Sequence, residues 1–177
     1  MSLFDIRIRN ANLKDMSAIS DLFDRSRKTM KEQGIDQWQD GYPFPDDIAL
    51  DIQNDCAYVL VKNDDVVGYF AYNTGKEEVY ENITEGNFRE DGAYRYSSVH
   101  RVAVAPEFRG HGLGARVFEY AVKLAHIDHA LSLRCDTHED NKPMRALLGK
   151  CGFQYCGVVY YERNGLKEKR IAFDLLL

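Results

Sequence analysis

The chain has no run of about eighteen apolar residues, so nothing in it reads as a membrane-spanning helix. Near its beginning no basic patch precedes an apolar stretch of signal-peptide length. Met1-Ser2-Leu3-Phe4-Asp5-Ile6-Arg7-Ile8 already alternates as a strand does, so a cytoplasmic protein is expected rather than a secreted one. The four cysteines, Cys56, Cys135, Cys151 and Cys156, form no CxxC pair and are read as reduced thiols. Cys135, His138, Cys151 and Cys156 match none of the usual zinc spacings, so no metal is expected. Lys and Arg number 23 against 28 Asp and Glu, a net charge of −5, which argues against a surface built to hold nucleic acid and suits a cationic partner. Internal repeats and low-complexity tracts are also missing.

What is present is a chain of 177 residues, 45% hydrophobic, long enough to bury roughly two thirds of its unfolded surface around one core. A single domain over residues 1–177 is the expectation. Ile6 to Asn10 reads as a strand, and Asn12 then caps a helix through Leu13, Met16, Ile19, Leu22, Phe23 and Met30, which Gly34 ends. A turn-rich aromatic segment from Gln37 to Pro45 leads to a short helix from Asp46 to about Asn54. Cys56 to Lys62 and Val66 to Asn73 flank Asn63-Asp64-Asp65 as a hairpin. From Thr74 to about Gly92 periodicity is lost, and Glu77, Glu78, Glu81, Glu85, Glu90 and Asp91 gather in a long acidic loop. Strands at Tyr96–Val104, Ala130–Asp136, Gln154–Tyr161 and Lys169–Leu175 then enclose helices at Gly112–His126 and Pro143–Cys151, with a turn at Arg163-Asn164-Gly165. Strands and helices alternate only in the second half, so the sheet should be mixed, with a parallel step across the Gly112 helix.

The most informative stretch runs from Val102 to Ala115: a β-branched strand, a stop at Pro106, then Arg109-Gly110-His111-Gly112-Leu113-Gly114-Ala115 opening an amphipathic helix. Glycines without Cβ let the backbone approach a ligand, and N–H groups at the positive end of a helix suit a pyrophosphate. Leu113, Val117, Tyr120, Ala121 and Leu124 make one apolar stripe behind them. The glycine spacing does not fit the dinucleotide fingerprint. The Gly-Lys pairs at Gly75 and Gly149 lack the Ser or Thr of a Walker A loop. The alternative is a Gly-rich turn that merely caps a helix.

Arg109-x-x-Gly112-x-Gly114 after the Val102-Ala103-Val104 strand resembles the acyl-CoA signature of the GNAT N-acetyltransferase superfamily. A second block agrees, since Asn141 to Phe153 resembles that family's Asn-led helix ending in Gly-Phe. The resemblance implies an α/β (α+β) fold with a mixed, centrally splayed sheet of about seven strands flanked by about four helices. Its cofactor would be acetyl-CoA, and a homodimer is open. It also implies that the backbone of Val102 and Val104 pairs with the pantetheine arm, and that Gly110, His111, Gly112, Leu113, Gly114 and Ala115 cradle the pyrophosphate. Asn141 would contact the coenzyme, and Arg109 would buttress the turn or meet a phosphate. Many relatives carry a Tyr proton donor at the place of Leu148, and Leu donates none. Water, Tyr155, Tyr160 or Cys151 would then protonate the thiolate, or no acid is needed, because a thiol pKa near about 8.5 makes a tolerable leaving group.

Attack on a thioester needs a neutral amine, whose ammonium form has a pKa near about 10, so a base or water chain is required. His100 is the first candidate: strand alternation puts it on the side of Val102 and Val104. The bland alternative is a histidine satisfied within the sheet. Glu77, Glu78 and Glu81 follow as bases or as solvated loop charges, and His126 and His129 read as helix-end surface residues. Trp38, the only tryptophan, with Gln37, Tyr42 and Pro43, sits where this superfamily builds its acceptor pocket. Tyr80, Glu81, Phe88 and Tyr94 would complete an aromatic, acidic box for a small-molecule or peptide amine, unless these rings form only a satellite core. The leading expectation is direct transfer of acetyl to that amine, with main-chain N–H groups stabilising the oxyanion. The rival is an acyl-CoA-binding sensor or interaction module that has lost its chemistry.

Overall fold

The computed structural model describes residues 5–89, 95–163 and 165–177. Sequence expectations for residues 1–4, Glu90, Asp91, Gly92, Tyr94 and Asn164 lie outside these. Seven strands form one mixed sheet: β1 (Ile6–Asn10), β2 (Ala57–Lys62), β3 (Asp65–Thr74), β4 (Tyr96–Val104), β5 (Ser132–Thr137), β6 (Gln154–Arg163) and β7 (Leu166–Leu176). Their order is β1-β2-β3-β4-β5-β7-β6. The helices are α1 (Met16–Glu32), α2 (Pro45–Gln53), α3 (Glu78–Glu81), α4 (Leu113–Ile127) and α5 (Lys142–Lys150). Strand number and mixed class agree with expectation. The helix α3 is extra, a single turn inside the stretch read as structureless. None of the described helices is long and apolar enough to cross a membrane.

Two compact units divide the chain. The first comprises the residues up to Tyr72 together with His100–Val117, and the second comprises Asn73–Val99 and Phe118–Leu177. In the first, β1 and β2 pair antiparallel, and β2 joins β3 through Asn63 and Asp64, both at positive φ (+47 and +71). This is the two-residue turn whose twist matches that of the strands, and Asn and Asp tolerate it; Asp65 belongs to the strand. Asn12 caps a 3₁₀ turn (Leu13–Asp15) rather than α1 itself: its side chain accepts the Lys14 N–H at 3.0 Å, while the Asp15 carboxylate accepts the Asn12 N–H at 2.9 Å. The buried face of α1 is Ile19, Leu22, Phe23 and Ser26, three and four residues apart. These side chains pack with Trp38, Ile48, Val59 and Tyr69, with Ala103 of β4 and with Ala105 just after it.

In the second unit, β4 pairs in parallel with β5 over Tyr96–Ser98 against Ser132–Arg134. β5 pairs antiparallel with β7, and β7 with β6. A core of Tyr80, Phe88, Tyr96, Cys156, Val159 and Ala172 sits beneath the segment that follows β3. That segment has no hydrophobic period. Tertiary anchors order it instead: Tyr80, 1% exposed, and a backbone bridge from Thr84 to Val158.

Candidate active site

The end of β4 presents its main chain outward. The Ala105 N–H donates to the Val67 carbonyl of β3 at 2.9 Å. Across a trans peptide the carbonyl and the N–H point in opposite directions, so the Val104 carbonyl faces away from β3, and Val102 shares its direction along the strand. Arg109 Nε–H donates to that Val104 carbonyl at 3.2 Å, which ties Arg109 back to the strand it follows. Burial lowers the Arg109 pKa while Glu107 raises it, and the guanidinium stays charged at neutral pH. Gly110 and Gly112 adopt φ of +76 and +80, a conformation that only glycine takes at little cost. With His111 they are exposed, while Leu113, 1% exposed, anchors the helix behind them. The first-turn N–H groups of α4, at Leu113, Gly114 and Ala115, have no preceding helical turn to accept them, and they stand at the positive end of a 15-residue helix. Arg116 Nη2 donates to the Ile6 carbonyl at 2.9 Å and holds this helix end to β1.

His100 is half-buried one step before a break in the strand. The alternation that put it on the side of Val102 and Val104 does not hold, because Arg101 between them has φ +55. Arg101 is gripped from two sides. Its Nε and Nη2 donate to Asp51 of α2 at 2.8 and 2.5 Å, and Nη1 donates to the Tyr42 hydroxyl at 2.5 Å. Asp51, 5% exposed, also accepts the Tyr69 hydroxyl at 2.6 Å. Burial works against charge on Arg101, but Tyr42 and Asp51 outweigh it and raise its pKa. Burial and then Asp51 push the Tyr69 hydroxyl up, and the Cys56 thiol up to about 12.

Of the acceptor-side candidates in this unit, Tyr42 belongs to that network, whereas Trp38 is a core side chain, 6% exposed, edge-on to Phe23 at 5.4 Å. Their segment is held to α1 by Arg27 Nη1, which donates to the carbonyls of Gly41 and Tyr42 at 3.0 and 3.2 Å.

The second unit holds the remaining candidates. The Tyr80 ring packs edge-on against Phe88 at 5.4 Å, and its hydroxyl donates to Asp136 at 2.8 Å, as does that of Tyr161. Phe88, 9% exposed, covers the Arg134 guanidinium, which also lies 3.6 Å from the Tyr96 ring centroid. Both aromatics therefore sit in the satellite core. Glu81 pairs with Lys76 at 2.6 Å, and Glu77 accepts the Ser98 hydroxyl. Asn141, 5% exposed, caps α5 by accepting the Met144 N–H at 3.2 Å. Leu148 is completely buried, and Tyr155 and Tyr160 are exposed on β6. Burial, then Glu119, raises the Cys151 thiol. Among the described residues no cluster of three or more His, Cys, Asp or Glu is placed to hold a metal.

Sequence reasoning missed Asp51, Tyr69, Arg101, Asp136 and Tyr161. Their partners lie 18 to 59 residues away along the chain, so no local pattern marks them.

A model of the acetyltransferase (GNAT) family matches residues 18–153. A solved acetyltransferase of the GNAT family from Streptococcus agalactiae 2603 is 36% identical, with a TM-score of 0.83 over 97% of this chain and 95% of that one. An uncharacterized N-acetyltransferase, YesJ, of Bacillus subtilis (strain 168) is 24% identical over 146 residues, 81% of this chain and 79% of its own length. YncA from Salmonella typhimurium, a putative acetyltransferase solved with its cofactor acetyl-CoA, shares the fold at 17% identity, with a TM-score of 0.68 over 97% of this chain and 94% of that one.

Proposed function

The chain belongs to the GNAT acetyltransferase family, and we propose that it transfers the acetyl group of acetyl-CoA to a primary amine of a small molecule or peptide by direct attack on the thioester. The observation that carries this reading is one continuous stretch of the first unit. The outward-facing main chain of Val102 and Val104 runs into a turn with two left-handed glycines and then into the N-terminus of α4. An extended amide chain such as pantetheine pairs with a strand edge through its own N–H and C=O groups. A diphosphate suits the exposed turn from Gly110 to Ala115, where N–H groups and the helix dipole act together. Arg109 buttresses that turn through Val104.

When the donor is bound, a main-chain N–H of β4 stabilises the negative charge that develops on the carbonyl oxygen. His100 is the candidate acceptor of the attacking amine's proton by its place just before Val102 in the strand, not by sharing a side with Val102 and Val104. Leu148, wholly buried and apolar, gives none to the leaving thiolate. A thiolate of ordinary basicity departs without a dedicated acid or takes its proton from water. In the first unit the acceptor-side candidate is Tyr42, whose hydroxyl meets Arg101, whereas Trp38 is part of the core.

The test offers acetyl-CoA with polyamines, amino acids, aminoglycosides and peptides while free thiol is followed. Turnover on one amine class is expected. Coenzyme binding without turnover on any of them overturns the enzymatic reading. Replacing His100 by Ala is expected to lower kcat by about a hundredfold or more with little change in acetyl-CoA affinity, and equal losses in both remove it as the base.

A further inference from the structure

Arg101 is a β-strand residue in a left-handed backbone conformation, φ +55, directly before Val102. An L-residue with a long side chain pays for that conformation, and the surroundings must impose it. The surroundings are visible. A two-pronged contact from Arg101 to Asp51 at 2.5 and 2.8 Å and a third bond to Tyr42 hold its guanidinium. Tyr69, completely buried on β3, fixes the Asp51 carboxylate in turn. Both charges are buried, with side chains 15% and 7% exposed. Such a pair adds little net stability over an apolar equivalent, whereas a planar fork specifies one geometry.

We propose that Asp51 and Arg101 are positioning residues for the acyl donor: their ion pair locks the backbone inversion at Arg101 and so aims the main chain of Val102 and Val104 at the pantetheine arm. This rests on the reading of β4 as the donor strand. Without the lock, residue 101 relaxes towards extended backbone, the following residues turn with it, and donor binding must restore the inversion. Glycine at this position needs no lock, because it enters the left-handed region freely.

The test compares acetyl-CoA dissociation constants by calorimetry for the unaltered protein and two double variants, each measured well below its own melting temperature. Both doubles carry Asp51→Asn, so neither leaves a lone buried carboxylate; one adds Arg101→Ala and the other Arg101→Gly. The alanine double is expected to bind about tenfold more weakly than the unaltered protein, and the glycine double to recover to within about threefold. Equal affinity of the two doubles overturns the proposal, since a pair that only staples α2 to the strand makes no distinction between them. Should either double fail to fold, Arg101→Lys serves in the otherwise native chain. It keeps the charge and loses the fork, so KM for acetyl-CoA should rise several-fold with kcat nearly unchanged, and an unchanged KM overturns the proposal. Failure of the unaltered protein to bind acetyl-CoA instead sinks the donor-strand reading itself.

Discussion

Gly157 and Gly86 owe their identity to backbone approach. A Cβ on Gly157 would lie 2.6 Å from the Thr84 carbonyl oxygen, and one on Gly86 only 2.0 Å from that of Cys156. Neither neighbour is a flexible side-chain tip, so the segment around Thr84 would have to leave β6, together with the two 2.8 Å bonds that Thr84 and Val158 exchange. Gly157→Ala is therefore expected to destabilise by about 1–3 kcal/mol, a loss of roughly 3–10 °C in Tm for a chain of this size; a calorimetric Tm within a degree of the parent would remove the argument. The thiols obey a second residue-scale rule. Burial first, then a neighbouring carboxylate, pushes Cys56 up to about 12 and Cys156 up to about 11. Burial and Asp136 raise Cys135 likewise. Only thiolate reacts with iodoacetamide, so at pH 7.5 the native protein should be alkylated far more slowly than the denatured chain at these three positions. Mass spectrometry that finds Cys56 modified as fast in both states contradicts this.

At the scale of elements, the junction of β1 with α1 depends on one carboxylate. Asp15 accepts both Arg9 Nη1 and Nη2 at 2.8 and 2.9 Å and the Asn12 N–H at 2.9 Å. The hydrogen bond from Arg9 lowers the Asp15 pKa most, and the Asn12 N–H adds to it. A carboxylate held below its unfolded value of about 3.9 contributes stability that is complete above that pH and vanishes as pH falls through the folded value. Asp15→Asn should thus lower Tm at pH 7, with the gap to the parent closing towards pH 3; a gap constant over that range assigns the loss to packing instead. The helix α1 itself was legible because Ile19, Leu22 and Phe23 repeat at helical spacing, and the β2–β3 hairpin because Asn63-Asp64 is a turn in its own right. The single turn α3 was not: four residues carry no period, and what fixes it is the bond from Tyr80 to Asp136, 56 residues further on. The inversion at Arg101 was equally hidden, since nothing in Val99-His100-Arg101-Val102 distinguishes a broken strand from a regular one.

For the whole molecule, the strand, glycine turn and helix start from Val102 to Ala115 were legible and the network behind them was not, and the reason is the range of the interactions. The residues from Val102 to Ala115 make their geometry locally, by glycine φ and a helix start, whereas Asp51, Tyr69 and Tyr42 reach Arg101 only through the fold. The same contrast bears on binding. A net charge of −5 gives a field that opposes a polyanionic coenzyme at a distance, so the proposed site relies on short-range N–H groups and Arg109 for its attraction. Ligand bound only by the native state stabilises it through mass action: at about a hundred times Kd the gain is about 2.7 kcal/mol, or roughly 5–10 °C in Tm at this chain length. Acetyl-CoA and free CoA should both produce that upshift, because the proposed grip is on the shared diphosphate and pantetheine. Gly112→Ala forces a Cβ into φ +80; an affinity loss of about tenfold, worth about 1.4 kcal/mol, should cut the upshift at the same ligand concentration to roughly half. A full upshift in that variant, measured by differential scanning fluorimetry beside the parent, means that the coenzyme is held somewhere other than the turn.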